Sequence, residues 1–273
     1  MKISLFLVAT PIGNLSDISS RALETLKSVD FIAAEDTRNS GILLKHLGVD
    51  TPMISYHEHN EKEKSIEIIR KLKEGKTCAL ITDAGMPAIS DPGQILVRAC
   101  IKEGLYVSAV PGPCAFVTAL AVSGFDSARF CFEGFFSSIK QVKQREQLST
   151  EPRTMVFYEA PHKLRKTLAA MEKLFERDRN ICIVREMTKI YEEALFFTVS
   201  EAVLYFREKE PKGEFVIVVE GSKEIFGKTC EADIERFFLE QLKSGKTKTQ
   251  AAKETALKFG LKRNEVYNKY KEE

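Results

Sequence analysis

The sequence predicts an α/β fold in two parts, followed by a short helical extension. Short apolar segments rich in β-branched residues alternate with helical patterns as far as Val110. The alternation changes between Gly112 and Phe125, and only helical patterns follow Gly221. The 273 residues, of which 44% are hydrophobic and 29% charged, suit two ordinary α/β domains or one large one.

In the first part, each strand pattern is followed by a loop and a helix pattern. These lengths are typical of right-handed crossovers, so we expect a mostly parallel sheet. Apolar spacing indicates the helices, as at Ile66, Ile69 and Leu72, and a glycine closes several of them. The predicted elements are, in chain order, strand Ser4–Ala9, helix Asp17–Ser28, strand Phe31–Ala34, helix Gly41–Leu47, strand Met53–Ser55, helix Lys62–Glu74, strand Thr77–Ile81, helix Gln94–Glu103 and strand Tyr106–Val110.

The second part begins with Cys114–Ser123, a helix of small and apolar residues. Several strands then follow one another with only a loop between them, so this sheet should be mixed or antiparallel. The strands are predicted at Phe130–Phe132, Thr154–Tyr158, Ile181–Arg185, Leu195–Val199 and Phe215–Val219, and the helices at about Ile139–Leu148, Pro161–Phe175 and Ser200–Glu208. The predicted domains are therefore residues 1–114, residues 115–221 and a basic helical tail of residues 222–273.

The tail shows three helical patterns. The last two, with Ala251, Ala252 and Ala256 on one face of the first, meet at Gly260 and resemble a helix-turn-helix. A helical hairpin that only covers the sheet edge fits the spacing equally well. Between Lys243 and Lys271 there are nine Lys or Arg and two Glu, a local excess of +7 in a chain whose net charge is +2.

Composition points to a cytoplasmic protein. None of the six cysteines forms a C-x-x-C pair, which favours buried thiols in a reducing compartment over disulfides or zinc. The apolar run Ile3–Ala9 continues directly into a turn and is interpreted as a strand, not a signal sequence. No apolar run reaches the roughly 18 to 20 residues of a membrane span.

Three loops at strand ends are candidate ligand sites, because ligands of open α/β sheets bind beyond the carboxyl ends of the strands. Residues 10–14 hold one glycine, and Pro11 lacks an amide hydrogen, so a dinucleotide site is disfavoured. In residues 82–93, Asp91 is expected to cap a helix with Pro92 at its first position, which leaves the Asp83 carboxylate for a ligand. Residues 110–115 combine two prolines with small residues that admit a ligand close to the backbone. The alternatives are an ordinary turn, an Asx-turn and a stiff linker, respectively.

Two polar clusters, residues 34–38 and 55–61, also follow predicted strands. Their acids, bases and donors make them candidates for substrate contact and proton transfer, although exposed capping loops would look the same. His57 and His59 would share a strand face but lack a third ligand, so no metal is predicted.

Seven motifs together carry a family resemblance that covers nearly the whole chain. They resemble the bacterial ribosomal RNA small subunit methyltransferase I family, part of the tetrapyrrole methylase (class III methyltransferase) superfamily. The motifs are VATPIGNLSDISSRA at 8–22, AEDTR at 34–38, SYHEHNE at 55–61, TDAGMPAISDPG at 82–93, VPGPCA at 110–115, FYEAPHKL at 157–164 and REMTK at 185–189. Met86 and Cys114 depart from the family pattern, which usually has Thr and Ser there. A backbone contact would survive both changes, and a hydroxyl contact would not.

The resemblance implies two α/β domains with S-adenosylmethionine in the cleft between them, a homodimer, and the 30S ribosomal subunit as partner. The implied reaction is 2′-O-methylation of a cytidine in the decoding region of 16S ribosomal RNA, cytidine 1402 in the usual numbering. Carried over residue by residue, the cofactor contacts are Pro11, Ile12, Asp83, Met86, Cys114, Ala115, Tyr158, Glu186 and Met187.

Proton transfer and RNA binding are assigned to residues near the strand ends and in the tail. Our candidate for the proton acceptor is Glu58, with Asp36, His57 and His59 as weaker candidates. The residues expected to bind RNA phosphate are Arg38, Lys189, Lys248, Lys262 and Arg263. The rival interpretations are a methylase of a tetrapyrrole or corrin, which the fold alone does not exclude, and a non-catalytic ribosome-binding protein.

Overall fold

The structure, a computed structural model, describes residues 2–222, 231–259 and 261–270. The predicted turn at Gly260 and the cysteine at position 230 lie outside these residues. The described part contains two five-stranded sheets and three short helices near the C-terminus.

The first sheet is entirely parallel, as its alternation of strands and helices predicted. Its strand order is β3-β2-β4-β1-β5, so β1 lies between β4 and β5. The strands are β1 (Leu5–Val8), β2 (Phe31–Ala34), β3 (Met53–Ser55), β4 (Cys78–Ile81) and β5 (Val107–Val110). Because parallel neighbours end at the same edge, the loops after β4, β1 and β5 leave the sheet side by side.

Four α-helices cover the two faces of this sheet. They are α1 (Ser20–Ser28), α2 (Thr37–His46), α3 (Glu61–Lys73) and α4 (Gln94–Lys102). One core contains Leu26 of α1 and Leu44 of α2 beside β-strand residues. The other core contains Ile68 of α3 and Leu96 of α4, and each of these four leucines and isoleucines is almost fully buried. Burial on both faces explains why the three central strands, β2, β4 and β1, are apolar throughout.

Several helix starts differ from the prediction, among them α1, which begins at Ser20 and not at Asp17, and two of the differences concern caps. The helix expected at Gly41–Leu47 begins at Thr37, because the Asp36 side chain accepts a hydrogen bond from the Arg38 amide and caps it. The predicted cap at Asp91, with Pro92 in the first position, is wrong: α4 begins at Gln94, and Gly93 occupies its N-cap with φ +146°. The Asp91 carboxylate is therefore free of the capping role.

The second sheet is mixed, with order β6-β7-β10-β8-β9. Only β6 and β7 pair in parallel, and the other neighbours are antiparallel. The strands are β6 (Phe130–Phe135), β7 (Thr154–Glu159), β8 (Asn180–Arg185), β9 (Glu193–Thr198) and β10 (Phe215–Val219).

Helix α5 (Ala115–Ser123) packs on one face of this sheet and links it to the first. The opposite face is covered by helices α6 (Val142–Ser149), α7 (Pro161–Leu174) and α8 (Val199–Glu208). A capping box in which Thr198 and Glu201 bond reciprocally fixes the start of α8. The face under α5 is the one turned toward the strand-end loops of the first sheet, since Ile12 packs into the same cluster.

The C-terminal helices form a small core of their own. They are α9 (Glu231–Lys243), α10 (Lys248–Phe259) and α11 (Arg263–Lys269). Phe238 of α9, Ala252 of α10 and Val266 of α11 are buried against one another, and Phe238 stacks on Tyr270 with ring centroids 5.1 Å apart. The helix-turn-helix pattern therefore corresponds to two helices packed with a third.

Candidate active site

The loops after β1 and β4 are joined by a pair of backbone hydrogen bonds. The Thr10 amide donates to the Gly85 carbonyl (3.0 Å), and the Gly85 amide donates to the Thr10 carbonyl (3.1 Å). The fully buried Thr10 hydroxyl also donates to the Thr82 carbonyl at 3.1 Å. These bonds hold the two loops in one fixed arrangement at the edge of the sheet.

Glycines permit the close approach of chain segments here. Gly85 has φ +80°, and a Cβ built on it would lie 3.3 Å from the Ile12 side chain. A Cβ on Gly13 would lie 2.6 Å from Lys189 Cγ and 2.8 Å from Thr188 Oγ1. The loop after β1 therefore touches the second sheet, and a larger residue at position 13 would push the two sheets apart.

A cavity of about 530 Å³ lies between the two sheets. Its walls come from the loop after β4, the start of α5, the ends of β7 and β8, and the start of β10. The lining residues are Ile12, Ala84, Gly85, Met86, Ile89, Ser90, Asp91, Cys114, Ala115, Phe116, Phe135, Tyr158, Glu159, Ala160, Pro161, His162, Val184, Met187, Glu214, Phe215 and Val216.

Six of the nine residues predicted to contact a cofactor line this cavity. They are Ile12, Met86, Cys114, Ala115, Tyr158 and Met187. The other three lie outside its lining. Pro11 is buried, Asp83 is exposed and accepts a hydrogen bond from Asn39 Nδ2 (2.9 Å), and Glu186 lies beside Met187.

The segment that presents Met187 is conformationally strained. Glu186 and Thr188 have φ values of +51° and +65°, a region that residues other than glycine rarely adopt. Lys189 Nζ bonds Glu186 (3.0 Å) and Glu214 (3.1 Å), and the Glu214 amide donates to Glu186 Oε1 (3.2 Å). The network holds Met187 buried on the cavity wall.

Tyr158 connects the second sheet to α5. Its hydroxyl accepts a hydrogen bond from the Phe116 amide (3.3 Å), and its ring packs edge-on against Phe132 (centroids 5.0 Å apart). Burial raises the pKa of Tyr158 to about 12, so the phenol is neutral at physiological pH. Burial also raises the pKa of Cys114, which keeps that side chain a thiol.

Three carboxyl groups gather where β2 and β4 end. They belong to Glu35, Asp83 and Asp91, and only Asp91 lines the cavity. Burial is the main cause that raises the pKa of Glu35 and of Asp91, and the negative charge of Asp83 adds to both shifts.

The acid–base candidates chosen from sequence lie outside the cavity lining. Arg38 bonds both oxygens of Asp36 (3.1 and 2.7 Å), which holds the pKa of that carboxyl well below its usual range. His57 Nε2 lies 3.2 Å from Asn60 Nδ2, whereas its buried Nδ1 has no hydrogen-bond partner among the described residues. Glu58 and His59 are exposed in the loop after β3.

The residues predicted to bind RNA are dispersed. Arg38 is exposed in the first turn of α2, and Lys189 belongs to the network beneath Met187. Lys248 begins α10, and Lys262 and Arg263 are exposed at the start of α11. The structure places these residues in three separate regions.

Several cavity residues were missed by sequence reasoning. Ala84, Ile89 and Ser90 belong to a motif already identified as a ligand loop, so their position carried the signal. Glu159 and His162 flank the start of α7 within another quoted motif. Phe215 and Val216 show only an apolar strand pattern, which gives no indication of a ligand.

Comparisons with known proteins show which sequences and which fold this chain resembles. A family model described as Tetrapyrrole (Corrin/Porphyrin) Methylases matches residues 4–203. A Synechocystis protein named ribosomal RNA small subunit methyltransferase I is 42% identical over 266 residues, 96% of this chain and 95% of that protein. A Thermotoga maritima protein of the same name is 46% identical over 220 residues, 80% of this chain and 99% of that protein.

Among solved structures, a cobalamin biosynthetic enzyme, cobalt precorrin-4 methyltransferase, superposes with a TM-score of 0.61. It is 15% identical, and the match covers 80% of this chain and 94% of the enzyme, so it shows the fold alone. Within the described residues, no group of three His, Cys, Asp or Glu is placed to hold a metal ion. No helix in that part of the chain is long and apolar enough to cross a membrane.

Proposed function

The chain belongs to the tetrapyrrole methylase family and, within it, to the ribosomal RNA small subunit methyltransferases I, and from this we propose that it methylates 16S ribosomal RNA with S-adenosylmethionine. The acceptor in this proposal is the 2′-oxygen of a cytidine in the decoding region, within the 30S subunit. The observation that carries the proposal is a ligand-sized cavity lined largely by residues from five of the seven motifs that carry the resemblance.

The cavity fits S-adenosylmethionine in size and chemistry. Its volume lies within the roughly 300 to 1,000 Å³ of small-molecule sites. Ala84, Gly85 and Ala115 offer backbone without bulky side chains, which suits close contact with a nucleoside. Met86 and Met187 supply polarizable, apolar surface, so the departure at Met86 is compatible with apolar or backbone contact.

The remaining predicted cofactor residues lie outside the cavity lining. We propose that Pro11 orders the loop that carries Ile12, and that Asp83 meets a polar end of the cofactor. Glu186 positions Met187 through its bond to Lys189 (3.0 Å). S-adenosylmethionine supplies a methyl group already activated by a positive sulfur, so the chain contributes mainly alignment, worth roughly 7 to 11 kcal/mol in well-oriented reactions.

RNA binding is assigned to the loops after β2 and β3 and to the basic tail. We propose that Arg38, Lys248, Lys262 and Arg263 contact phosphates, with Lys189 at the edge of the cofactor cavity. Glu58, Asp36 and His57 are proposed to lie against the acceptor nucleotide. Such a surface binds by charge, and its affinity falls steeply with salt.

We further propose a cytoplasmic homodimer, since the substrate is a ribosomal subunit and α5 exposes an apolar face. Val117 and Val122 on that face are 48% and 46% exposed. The proposed domains are residues 1–114, 115–221 and 222–273. The two sheets and the separate helical core support these divisions.

The proposed function is tested with purified protein, radiolabelled S-adenosylmethionine and 30S subunits from cells that lack this methylation. We expect label in 16S RNA, at a ribose that becomes resistant to alkaline cleavage. Label in a base, in an added tetrapyrrole or in neither would contradict the proposal. Calorimetric titration of S-adenosylmethionine in the absence of RNA tests the cofactor assignment separately.

A further inference from the structure

Six titratable side chains line the cavity, and four of them are unsuited to accept a proton. Cys114 and Tyr158 are protonated at neutral pH, because burial raises both pKa values. The Glu159 oxygens accept hydrogen bonds from Thr167 Oγ1 (2.6 Å) and the Ala160 amide (3.0 Å). Glu214 pairs with Lys189. Asp91 and His162 remain.

Asp91 and His162 differ in their surroundings. His162 is exposed in the first turn of α7, where water competes for it. Asp91 is half-buried in the cavity wall and has no hydrogen bond or ion pair among the residues that the structure describes. A carboxylate withdrawn from water normally acquires partners, so one without them is poised for a ligand.

The groups that face Asp91 leave its charge uncompensated. They are Asp83 from the same loop, Glu35 from the end of β2 and the neutral Tyr158 from β7. Burial together with the charge of Asp83 raises the pKa of Asp91, which makes its carboxylate a stronger base than an ordinary aspartate.

The backbone around Asp91 is held in an unusual conformation. Ala88 has φ +64° and Gly93 has φ +146°. A Cβ on Gly93 would lie 2.7 Å from Leu80 Cδ2 and 2.9 Å from Ala88 Cβ, so this end of the loop is packed directly on β4. Conformations of this kind persist where the surrounding structure imposes them, and they cluster at functional sites.

We propose that Asp91 accepts the proton of the ribose 2′-hydroxyl during methyl transfer. This inference rests on the function proposed above. The O–H bond breaks, and its proton passes to an Asp91 carboxylate oxygen. The electron pair left on the 2′-oxygen forms the bond to the methyl carbon, and the carbon–sulfur pair of the methylsulfonium donor remains on sulfur. The positive charge of the donor is thereby neutralised, and Asp91 returns its proton to water.

The position of Asp91 distinguishes it from the candidates chosen by sequence. Asp36 is bonded by Arg38, which makes it a weak base, and Glu58 is exposed outside the cavity lining. Asp91 lines the same cavity as Met86 and Ala115, which are assigned to the cofactor. Of these three carboxylates, only Asp91 lines the cavity assigned to the methyl donor.

The test compares Asp91→Asn with wild-type protein. In single-turnover assays on under-methylated 30S subunits, we expect Asp91→Asn to lower the rate roughly 10²- to 10⁴-fold. Its affinity for S-adenosylmethionine, measured by calorimetry, should match the wild type. Asp91→Glu should recover part of the rate. Asp50→Asn is the matched control, since this exposed residue precedes β3 at the opposite edge of the sheet.

The pH dependence gives an independent readout. The wild-type rate should fall as the pH drops and Asp91 becomes protonated, and the Asp91→Asn profile should lack this decline. If Asp91→Asn does not fold, the pH dependence of the wild-type rate and the rate of Asp91→Glu still test the proposal. A wild-type rate that stays constant as the pH falls from about 8 to 3.8, the usual pKa of an aspartate, would overturn the proposal.

Other results would also overturn it. One is an Asp91→Asn protein that methylates as fast as the wild type, and another is an Asp91→Asn protein that loses only its affinity for the cofactor. The third is a Glu58→Gln protein that loses turnover while Asp91→Asn remains active. Failure of the proposed function looks different, because the wild-type protein itself would then place no label in 16S RNA.

Discussion

Aspartates in the loops after the neighbouring strands β2 and β4 have opposite pKa shifts in this protein. Arg38 bonds Asp36 and lowers its pKa, whereas burial raises the pKa of Asp91. The usual value for both is 3.8, so the difference arises entirely from their surroundings. A residue type at a strand end therefore does not by itself identify the base.

The raised pKa of Asp91 predicts a stability effect. Its ionised form is disfavoured in the fold, so its contribution to stability is lost as the pH rises from near 3.8 through the raised pKa. We expect Asp91→Asn to raise the Tm at pH 8 by roughly 1 to 3 °C, with a smaller gain at about pH 4. Scanning calorimetry of both proteins at the two pH values measures this. A lower Tm at pH 8 would mean that Asp91 has a structural role.

Alanine at Gly85 should affect S-adenosylmethionine binding as well as stability, and alanine at Gly75 should affect stability alone. Gly85 and Gly75 have φ values of +80° and +89°, so alanine at either should cost about 1 to 2 kcal/mol of unfolding free energy. Of these two glycines, only Gly85 would bring a Cβ against other groups, the Ile12 side chain at 3.3 Å and the Pro113 carbonyl oxygen at 3.6 Å. We expect Gly85→Ala to weaken S-adenosylmethionine binding at least several-fold and Gly75→Ala to leave this affinity unchanged. Urea titration and calorimetry measure the two effects, and equal affinities would remove Gly85 from the cofactor site.

At the scale of elements, the start of α4 shows how packing decides a helix boundary. The sequence offers Asp91 and Pro92 as a conventional start, yet the helix begins at Gln94. Gly93 packs so closely on Leu80 and Ala88 that only glycine fits its place and its φ of +146°. Contacts between a loop and a strand distant in sequence thus override the local signal.

This contact predicts the effect of Gly93→Ala. The added methyl group meets Leu80 and Ala88 within 3 Å, and overpacking of this kind costs about 1 to 3 kcal/mol beyond the backbone penalty. Gly104→Ala is the control, because Gly104 has φ +68° and open space around it. Chemical unfolding should show a distinctly larger loss for Gly93→Ala. Equal losses would show that the loop adapts freely.

The sequence predicted most elements because they have strong local patterns. Phe31–Ala34, Met53–Ser55 and Phe215–Val219 are strands with the predicted ends. Helix ends differ from the predicted ones where a capping residue sets them, as Asp36 does at the start of α2. Capping depends on one side-chain bond, which apolar periodicity does not register.

At the scale of the whole molecule, the site was predictable only in part. The loops after β1, β4 and β5 were identified because strand ends of a parallel sheet meet at one edge. The opposite wall, including Phe215 and Val216, comes from a second sheet whose approach depends on contacts such as Gly13 with Thr188. Such contacts join residues far apart in the chain and leave no local pattern.

The separate core of α9–α11 leads to a prediction about substrate binding. The Thermotoga relative is matched over 99% of its length by 80% of this chain, so a related protein lacks an extension of the full size found here. We therefore expect Lys262→Ala/Arg263→Ala to leave the fold and cofactor affinity intact and to weaken 30S binding. Losing two phosphate contacts should lower the slope of log K against log salt by about 1.4 to 1.8.

The control is Lys73→Ala/Lys76→Ala, which removes the same charge between α3 and β4, at the opposite edge of the sheet from the cavity. Filter binding across a salt titration measures both slopes. Equal slopes for the two variants would mean that Lys262 and Arg263 do not contact RNA phosphate.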